Sequence, residues 1–354
     1  MRLRDYGFAV GYLPTGRHNA ITDVPGIKVG QVTVVMNEPT VIRSGVTVIF
    51  PHSGNPAWER VYAGTDVLNG YGVMTGRAAI DEWGLLGSPI VLTGTRSVGS
   101  GYEATMQYLT QMDPGVADFD IAIPVVAECD DGYLNDNRGA ALPTSAFFDA
   151  FNGACEGPVA EGSVGAGTGM QLFGYKGGIG TASRRIVGES GQFTLGVLVN
   201  TNFGRQHQLI VRGHPVGLGI GQTGERGQEG SCIGVVATDA PLLPHQLKRL
   251  AKRMGLGLAR TGSVANDSSG ELFLAFGTAT RIARDTRTMD VPYVVDGQMS
   301  GHEILINRLF DATVEATEEA VLNALFEAKS VVGRDGNHLD AFPLDRYGHV
   351  LKTV

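Results

Sequence analysis

Cysteine is scarce in this chain: Cys129, Cys155 and Cys232 are the three among 354 residues. They are too few and too scattered for a disulfide framework or a zinc ribbon. No apolar run reaches membrane-spanning length, and the first ten residues carry charges in place of the apolar stretch of a signal peptide. The expected location is cytoplasmic. Charged residues make up 18%, with a net charge of −8, whereas a nucleic-acid partner calls for a basic face. The one dense basic stretch, Lys248, Arg249, Lys252 and Arg253, has helical spacing and reads as a solvated helix face. No two histidines stand at i, i+4 with acids between them, as a helical zinc site requires, and His207, His214 and His245 read as surface or loop residues. Gly219, Gly221 and Gly224 fit a G-x-G-x-x-G pattern, yet no helical pattern follows to receive a pyrophosphate. No metal and no organic cofactor is expected.

Glycine is what the chain has in excess: 51 residues, about twice the usual share. The glycines follow no fixed period, which excludes collagen and simple repeats. Between them lie short runs that read as buried strands: 45–50, 89–93, 120–127, 193–199, 233–237 and 272–276. Helical patterns alternate with them. The clearest spans 241–258, where Leu243, Leu247, Leu250, Met254 and Leu258 form one stripe. Asp239 is expected as its N-cap and Pro241 in its first turn. Further helices are expected over 312–331, with Val314, Val321, Leu325 and Ala328 inward, and over 60–83, 102–112 and 144–151. Mixed strands and helices indicate a layered α/β or α+β fold. No Pro-rich or Ser-rich linker divides the chain, so residues 1–354 are read as one domain.

Three segments suggest chemistry. GACEG, Gly153–Gly157, has the spacing of a nucleophile elbow around Cys155, but it follows a helical pattern where an elbow needs a strand. It reads better as a post-helix loop. SVGAGTG, Ser163–Gly169, fits either a nest of backbone N–H groups at an active site or a tight turn before Met170–Phe173. The third is the irregular, glycine-rich stretch 213–230, which ends abruptly at a buried-strand pattern opening with Ser231 and Cys232. A cut before Ser231 would free its α-amine, whose pKa of about 7.7–8 suits a base near neutral pH. One residue would then hold both nucleophile and base. A serine that merely starts a strand is the competing reading.

The order of several motifs bears on that choice. GRHNAITDVPGIKVG runs from Gly16 to Gly30, PVVAECDDGYLND from Pro124 to Asp136, and GVLVNTNFG from Gly196 to Gly204. Gly230 and Ser231 are followed by VVATDAPL, Val235–Leu242, and by SSGELFLAF, Ser268–Phe276. This series resembles the self-cleaving L-aminopeptidase/D-esterase family, which includes the β-peptidyl aminopeptidases, over most of the chain. The resemblance implies an αββα sandwich, similar in layering to N-terminal-nucleophile hydrolases but different in connectivity. It implies self-cleavage between Gly230 and Ser231 into pieces 1–230 and 231–354, and homo-oligomers of such cleaved pairs.

The resemblance also implies roles. Ser231 matches the nucleophile and Asn202 the oxyanion-hole donor, with Asn200 two residues away as a fallback on the same strand face. Ser269 and Glu271 match the pair beside the nucleophile's amine. Glu128 matches the acid that receives the substrate's ammonium. Some members carry a tyrosine two residues after that acid as a second oxyanion donor. Here Asp130 stands there and Tyr133 lies further on, which leaves the second donor open; Tyr133 is kept as a substrate-binding candidate. Cys232 reads as a small buried hydrophobe. The implied function is an autoprocessed serine aminopeptidase or amidase acting on short peptides, amides or esters. The alternatives are an acetyltransferase of similar self-cleaving architecture, which normally starts its second piece with threonine, and an uncleaved binding relative.

Overall fold

The structure, a computed structural model, describes residues 1–118, 120–188, 191–220, 230–297 and 304–344. From the N-terminus come β1 (Lys28–Met36), β2 (Ile42–Phe50), β3 (Glu59–Gly70), α1 (Arg77–Trp83), β4 (Leu85–Leu86), β5 (Ile90–Gly94), α2 (Val98–Met112), α3 (Gly115–Asp118), β6 (Val125–Cys129) and α4 (Thr144–Asn152). Then follow β7 (Gln171–Leu172), β8 (Tyr175–Lys176), β9 (Ile179–Gly188), β10 (Gly191–Asn202), α5 (Val216–Gly219), β11 (Ser231–Thr238), α6 (Pro244–Arg260), β12 (Gly270–Ala283) and α7 (Leu305–Glu327).

Two sheets stack face to face. One has the order β1-β2-β5-β6 and the other β4-β3-β12-β11-β10-β9. In the larger sheet β11 and β12 run parallel, and α6 makes the crossover that a parallel pair needs. Strand alternation sends the two faces of β11 into different cores. Ile233, Val235 and Ala237 meet the smaller sheet, while Cys232 and Val236 join the side chains of α6 and α7. A third core lies between the smaller sheet and helices α2 and α4, around Val48, Val126, Phe147 and Phe151. The layers are therefore helix, sheet, sheet, helix, as expected. All eight residues of β11 are buried, which accounts for its near-continuous apolar run.

The strand and helix expectations hold at most positions, with four corrections. The helix expected over 312–331 is α7, which starts seven residues earlier at Leu305 and ends at Glu327, with Val331 in a two-residue strand. The stretch 60–83 is not one helix: β3 covers Glu59–Gly70 and α1 begins at Arg77. Its inward residues Val61, Ala63 and Thr65 alternate with period two and pair with β12, and Gly70, Gly72 and Gly76 interrupt any helix. The strand expected over 120–127 starts only at Val125, just after Pro124. Asp239 does not cap α6. It accepts the Thr194 N–H at 2.7 Å and so ties the end of β11 to β10. The helix begins instead at Pro244, which leaves Pro241 outside its first turn, with Gln246 Oε1 accepting the Leu243 N–H at 2.9 Å.

The basic stretch of α6 is only half solvated. Lys248 and Lys252 are exposed, but Arg249 and Arg253 lie over the Phe310 ring, at 4.9 and 3.6 Å from its centre. Cys155 sits in an exposed loop after α4, consistent with a post-helix turn and not an elbow. Gly221 and Gly224 fall outside the described residues.

Helix α7 is buried on nearly every side, including Glu315 and Glu319. Arg184 on β9, fully buried, bonds Glu315 at 2.9 Å and Glu319 at 2.8 Å. Arg4 reaches Glu319 at 2.6 Å, and Asn19 Nδ2 donates to the same carboxylate. Burial works against the Glu319 charge, but Arg4, Arg184 and Asn19 outweigh it and hold its pKa below the usual value. The backbone N–H groups of Tyr12 and Leu13 donate to Glu315. The N-terminal segment is thus fastened to α7 by charge. Removing one member leaves an uncompensated buried charge. Arg184→Met should cost about 3–5 kcal/mol, read as a lowered unfolding midpoint; an unchanged midpoint contradicts the role given to this network.

Candidate active site

Ser231 opens the central strand of the larger sheet. It faces Asn202 across the antiparallel β10–β11 ladder and Gly270 across the parallel β11–β12 pair. Directly opposed residues point to one face, so the Ser231 hydroxyl and the Asn202 amide share the side that meets the smaller sheet. Ser231 keeps 7% of its surface exposed and Asn202 4%. The Gly230 carbonyl accepts the Gly270 N–H at 3.1 Å, so the peptide before Ser231 is already held in the ladder. Gly230 must be glycine: an added Cβ would lie 1.7 Å from the Asn202 carbonyl oxygen.

The Asn202 amide is fixed at both ends. Its Oδ1 accepts the Gln171 N–H at 3.0 Å, and its Nδ2 donates to the Asp130 carbonyl at 2.9 Å. These partners set which end is oxygen and which nitrogen, and they leave one Nδ2 hydrogen for another acceptor. Asn200 is fully buried on the same face, and its side-chain N and O have no partner among the described residues.

On β12, Ser269 Oγ donates to Glu271 Oε1. Both side chains are buried. Burial pushes the Glu271 carboxyl up, and the Ser269 hydrogen bond works against that shift. Glu271 Oε2 has no partner among the described residues, and Glu271 pairs with Cys232, next to Ser231. Cys232 itself is fully buried, as expected of a small hydrophobe, and burial holds its thiol pKa well above the usual value.

Glu128 lies at the end of β6 in the other sheet, 4% exposed. Oε1 accepts the Val73 N–H at 2.9 Å and Oε2 accepts the Thr95 hydroxyl. Burial raises its pKa, the Thr95 and Val73 bonds oppose that, and nearby Asp130 adds to it. The loop carrying Gly72 lies between Glu128 and β12. A Cβ on Gly72 would stand 3.4 Å from Glu128 Oε1 and 3.5 Å from the Gly270 Cα. The acid and the strand end beside Ser231 are therefore separated by little more than one glycine.

Asp130 does not point at this centre. Its carboxylate accepts Gly132 N–H and Asn137 Nδ2–H, both at 2.9 Å, and closes its own turn. Only its backbone carbonyl touches Asn202. Tyr133 lies beyond, on a cavity of about 470 Å³ with Asp130, Asn137, Arg138 and Arg334. The SVGAGTG segment is not an open nest. The N–H groups of Gly165 and Ala166 are taken by Thr33 and Thr47 of the smaller sheet. Among the described residues no cluster of three or more His, Cys, Asp or Glu could hold a metal.

The protein-family model that matches this chain is peptidase family S58, over residues 19–339. The chain belongs to peptidase family S58. Among its relatives, the beta-peptidyl aminopeptidase BapA of Sphingosinicella xenopeptidilytica is 38% identical, over 99% of this chain and 91% of its own length. Two solved structures match the whole architecture. A Burkholderia sp. beta-aminopeptidase is 41% identical with a TM-score of 0.91, covering 100% of this chain and 99% of its own. The L-aminopeptidase D-Ala-esterase/amidase of Ochrobactrum anthropi is 37% identical with a TM-score of 0.92, covering 99% of this chain and 98% of its own. That structure is described as a prototype for the serine aminopeptidases and a new variant among the Ntn hydrolase fold. The S58 chain thus has the sandwich expected of it.

Asn202 stands opposite Ser231 and Glu128 reaches the Gly72 loop beside Gly270, while Glu271 pairs with Cys232, one residue along β11, and Tyr133 stands apart on the Asp130 loop. What sequence reasoning missed are main-chain donors, Gln171 N–H and Val73 N–H, and the Thr95 hydroxyl. A backbone N–H leaves no signature in a residue type. The near-neutral donors on Glu128 leave its negative charge available to a cation. A substrate ammonium bound there predicts that Glu128→Gln lowers kcat/KM for an amino-acid p-nitroanilide about 10- to 100-fold, chiefly through KM. An unchanged KM contradicts it.

Proposed function

We infer that this S58 chain is a serine aminopeptidase or amidase that matures by cutting its own Gly230–Ser231 bond. The observation that carries the reading is the register: Ser231 opens β11 with Asn202 directly opposite and the Gly230 carbonyl held by Gly270.

In maturation, Ser231 Oγ attacks the Gly230 carbonyl carbon, the C–N bond breaks, and the acyl group shifts to oxygen as an ester. Water hydrolyses that ester, leaving a Gly230 carboxylate and a free Ser231 α-amine. In turnover, the amine takes the hydroxyl proton as Oγ attacks the substrate carbonyl. The oxyanion receives the spare Asn202 Nδ2–H, a kind of contact typically worth about 3–4 kcal/mol. The leaving amine departs with the proton, and water then hydrolyses the acyl-enzyme.

Glu271 supports this scheme. Its unpartnered Oε2 offers an acceptor next to the strand end where the new amine forms, and Ser269 keeps its other oxygen occupied. Glu128 holds the substrate ammonium, which selects chain ends. The substrates are short peptides, amides or esters with a free amino terminus. The names of the relatives favour β-amino acid residues at that position. The cleaved pair is read as the unit of a homo-oligomer.

One hydroxyl serves both reactions, so Ser231→Ala should remain a single chain and turn over no substrate. A Ser231→Ala protein found fully cut at 230–231 would show that another group performs the cleavage.

A further inference from the structure

Lys176 on β8 is fully buried, and its ammonium has three main-chain acceptors: the carbonyls of Gly167 at 2.8 Å, Met170 at 2.6 Å and Gly177 at 2.8 Å. No carboxylate faces it among the groups that shift it; burial alone drives its pKa down, to about 7. A buried cation without a counter-ion is costly, and a methionine of similar length would avoid that cost. The ammonium has no part in the reaction scheme above.

Its place in the hydrogen-bond chain supplies a reason. The peptide between Met170 and Gln171 is a single planar amide. Its C=O accepts from Lys176 Nζ, and its N–H donates to Asn202 Oδ1 at 3.0 Å. The same carbonyl also accepts the Gly177 N–H at 3.2 Å. The sequence of dipoles runs in one sense: ammonium, peptide C=O, peptide N–H, Asn202 Oδ1, Asn202 Nδ2–H. Each link draws electron density toward the cation and so makes the last N–H a stronger donor. The segment is clamped to β10 at the same place. Phe173 N–H donates to the Phe203 carbonyl at 2.8 Å, and Thr201 N–H to the Gly178 carbonyl at 2.9 Å.

We propose that Lys176 is a polarising and positioning residue for the oxyanion hole, acting on Asn202 through the Met170–Gln171 peptide. The proposal rests on the reading of Asn202 as the oxyanion donor. Lys176 touches no reacting atom. In its protonated form it supplies a positive charge two amide groups away, where water cannot screen it, and it sets the angle of the Asn202 side chain.

A double-mutant cycle tests this on the matured enzyme, with kcat and KM measured for an amino-acid p-nitroanilide. Lys176→Met should lower kcat about 10-fold with little change in KM, as a part of the loss seen when Asn202 itself is removed. Lys176→Arg, which keeps the charge, should recover most of that loss. In the Asn202→Ala background, Lys176→Met should change kcat less than about twofold, because the group it acts through is gone. Should Lys176→Met fail to fold, Lys176→Gln, which keeps an N–H donor to the main-chain carbonyl without the charge, takes its place in the same cycle. An equal fall in kcat in both backgrounds overturns the proposal and leaves Lys176 as scaffold alone. An unchanged kcat in the Lys176→Met single variant also overturns it. If Asn202→Ala itself leaves kcat intact, the oxyanion reading of Asn202 fails first, which is a different result from additivity.

Discussion

Asn202 and Ser231 face each other across the ladder between β10 and β11, and the arrangement of the whole site follows from that pairing. A slip of one residue would send the Ser231 hydroxyl to the helix side of the sheet. The register is held from several directions. The interior of β11 alternates between two separate cores, Gly230 fits only as glycine against the Asn202 backbone, and Asp239 ties the far end of the strand to β10. The smaller sheet then adds its part at the same end: Glu128 from β6, and the Asp130 carbonyl that holds the Asn202 amide. On the proposed reading the active centre is a seam between two sheets, closed by main-chain groups as much as by side chains.

The outer layer on the nucleophile side is organised by buried charge. Arg184 joins β9 to α7, and Arg4, Asn19 and the Tyr12 N–H join the N-terminal segment to the same helix. Removing a partner from such a network is expensive even where the intact network adds little net stability. This helix packs on the back of β9 and β10, so the same charges keep the rear of the Asn202 strand in place. Lys176 contrasts with it. Its charge is met by carbonyl dipoles alone, and it sits one peptide away from the reacting side of the sheet.

The apolar strands and the stripe of α6 were legible from sequence because burial imposes period two or 3.6 directly on residue type. The α6 stripe of Leu247, Leu250, Met254 and Leu258 is buried as its spacing implies. The stretch 60–83 misled because charged and apolar residues there fit a helical as well as an alternating pattern, and pairing with β12 decided between them. Asp239 looked like a cap because only the chain fold reveals its Thr194 partner. The site is a different case. Residue types around Ser231 alone left a plain strand serine open, and it was the order of motifs resembling a self-cleaving family that pointed to Asn202, Ser269, Glu271 and Glu128. Asp130, which stands where some members of the family carry a tyrosine donor, turns its carboxylate into its own loop. Gln171 and Val73 act through N–H groups that every non-proline residue carries, so nothing in their identities announced them.

The claim at the centre of this account is that Ser231 becomes an N-terminus. Mass measurement of the purified protein under denaturing conditions addresses it directly. Cleavage replaces the 37.4 kDa chain with pieces of roughly 24 and 13 kDa, in proportion to length, the smaller one beginning at Ser231 on N-terminal sequencing. An active enzyme that remains one intact chain, or a smaller piece that begins elsewhere, would contradict it.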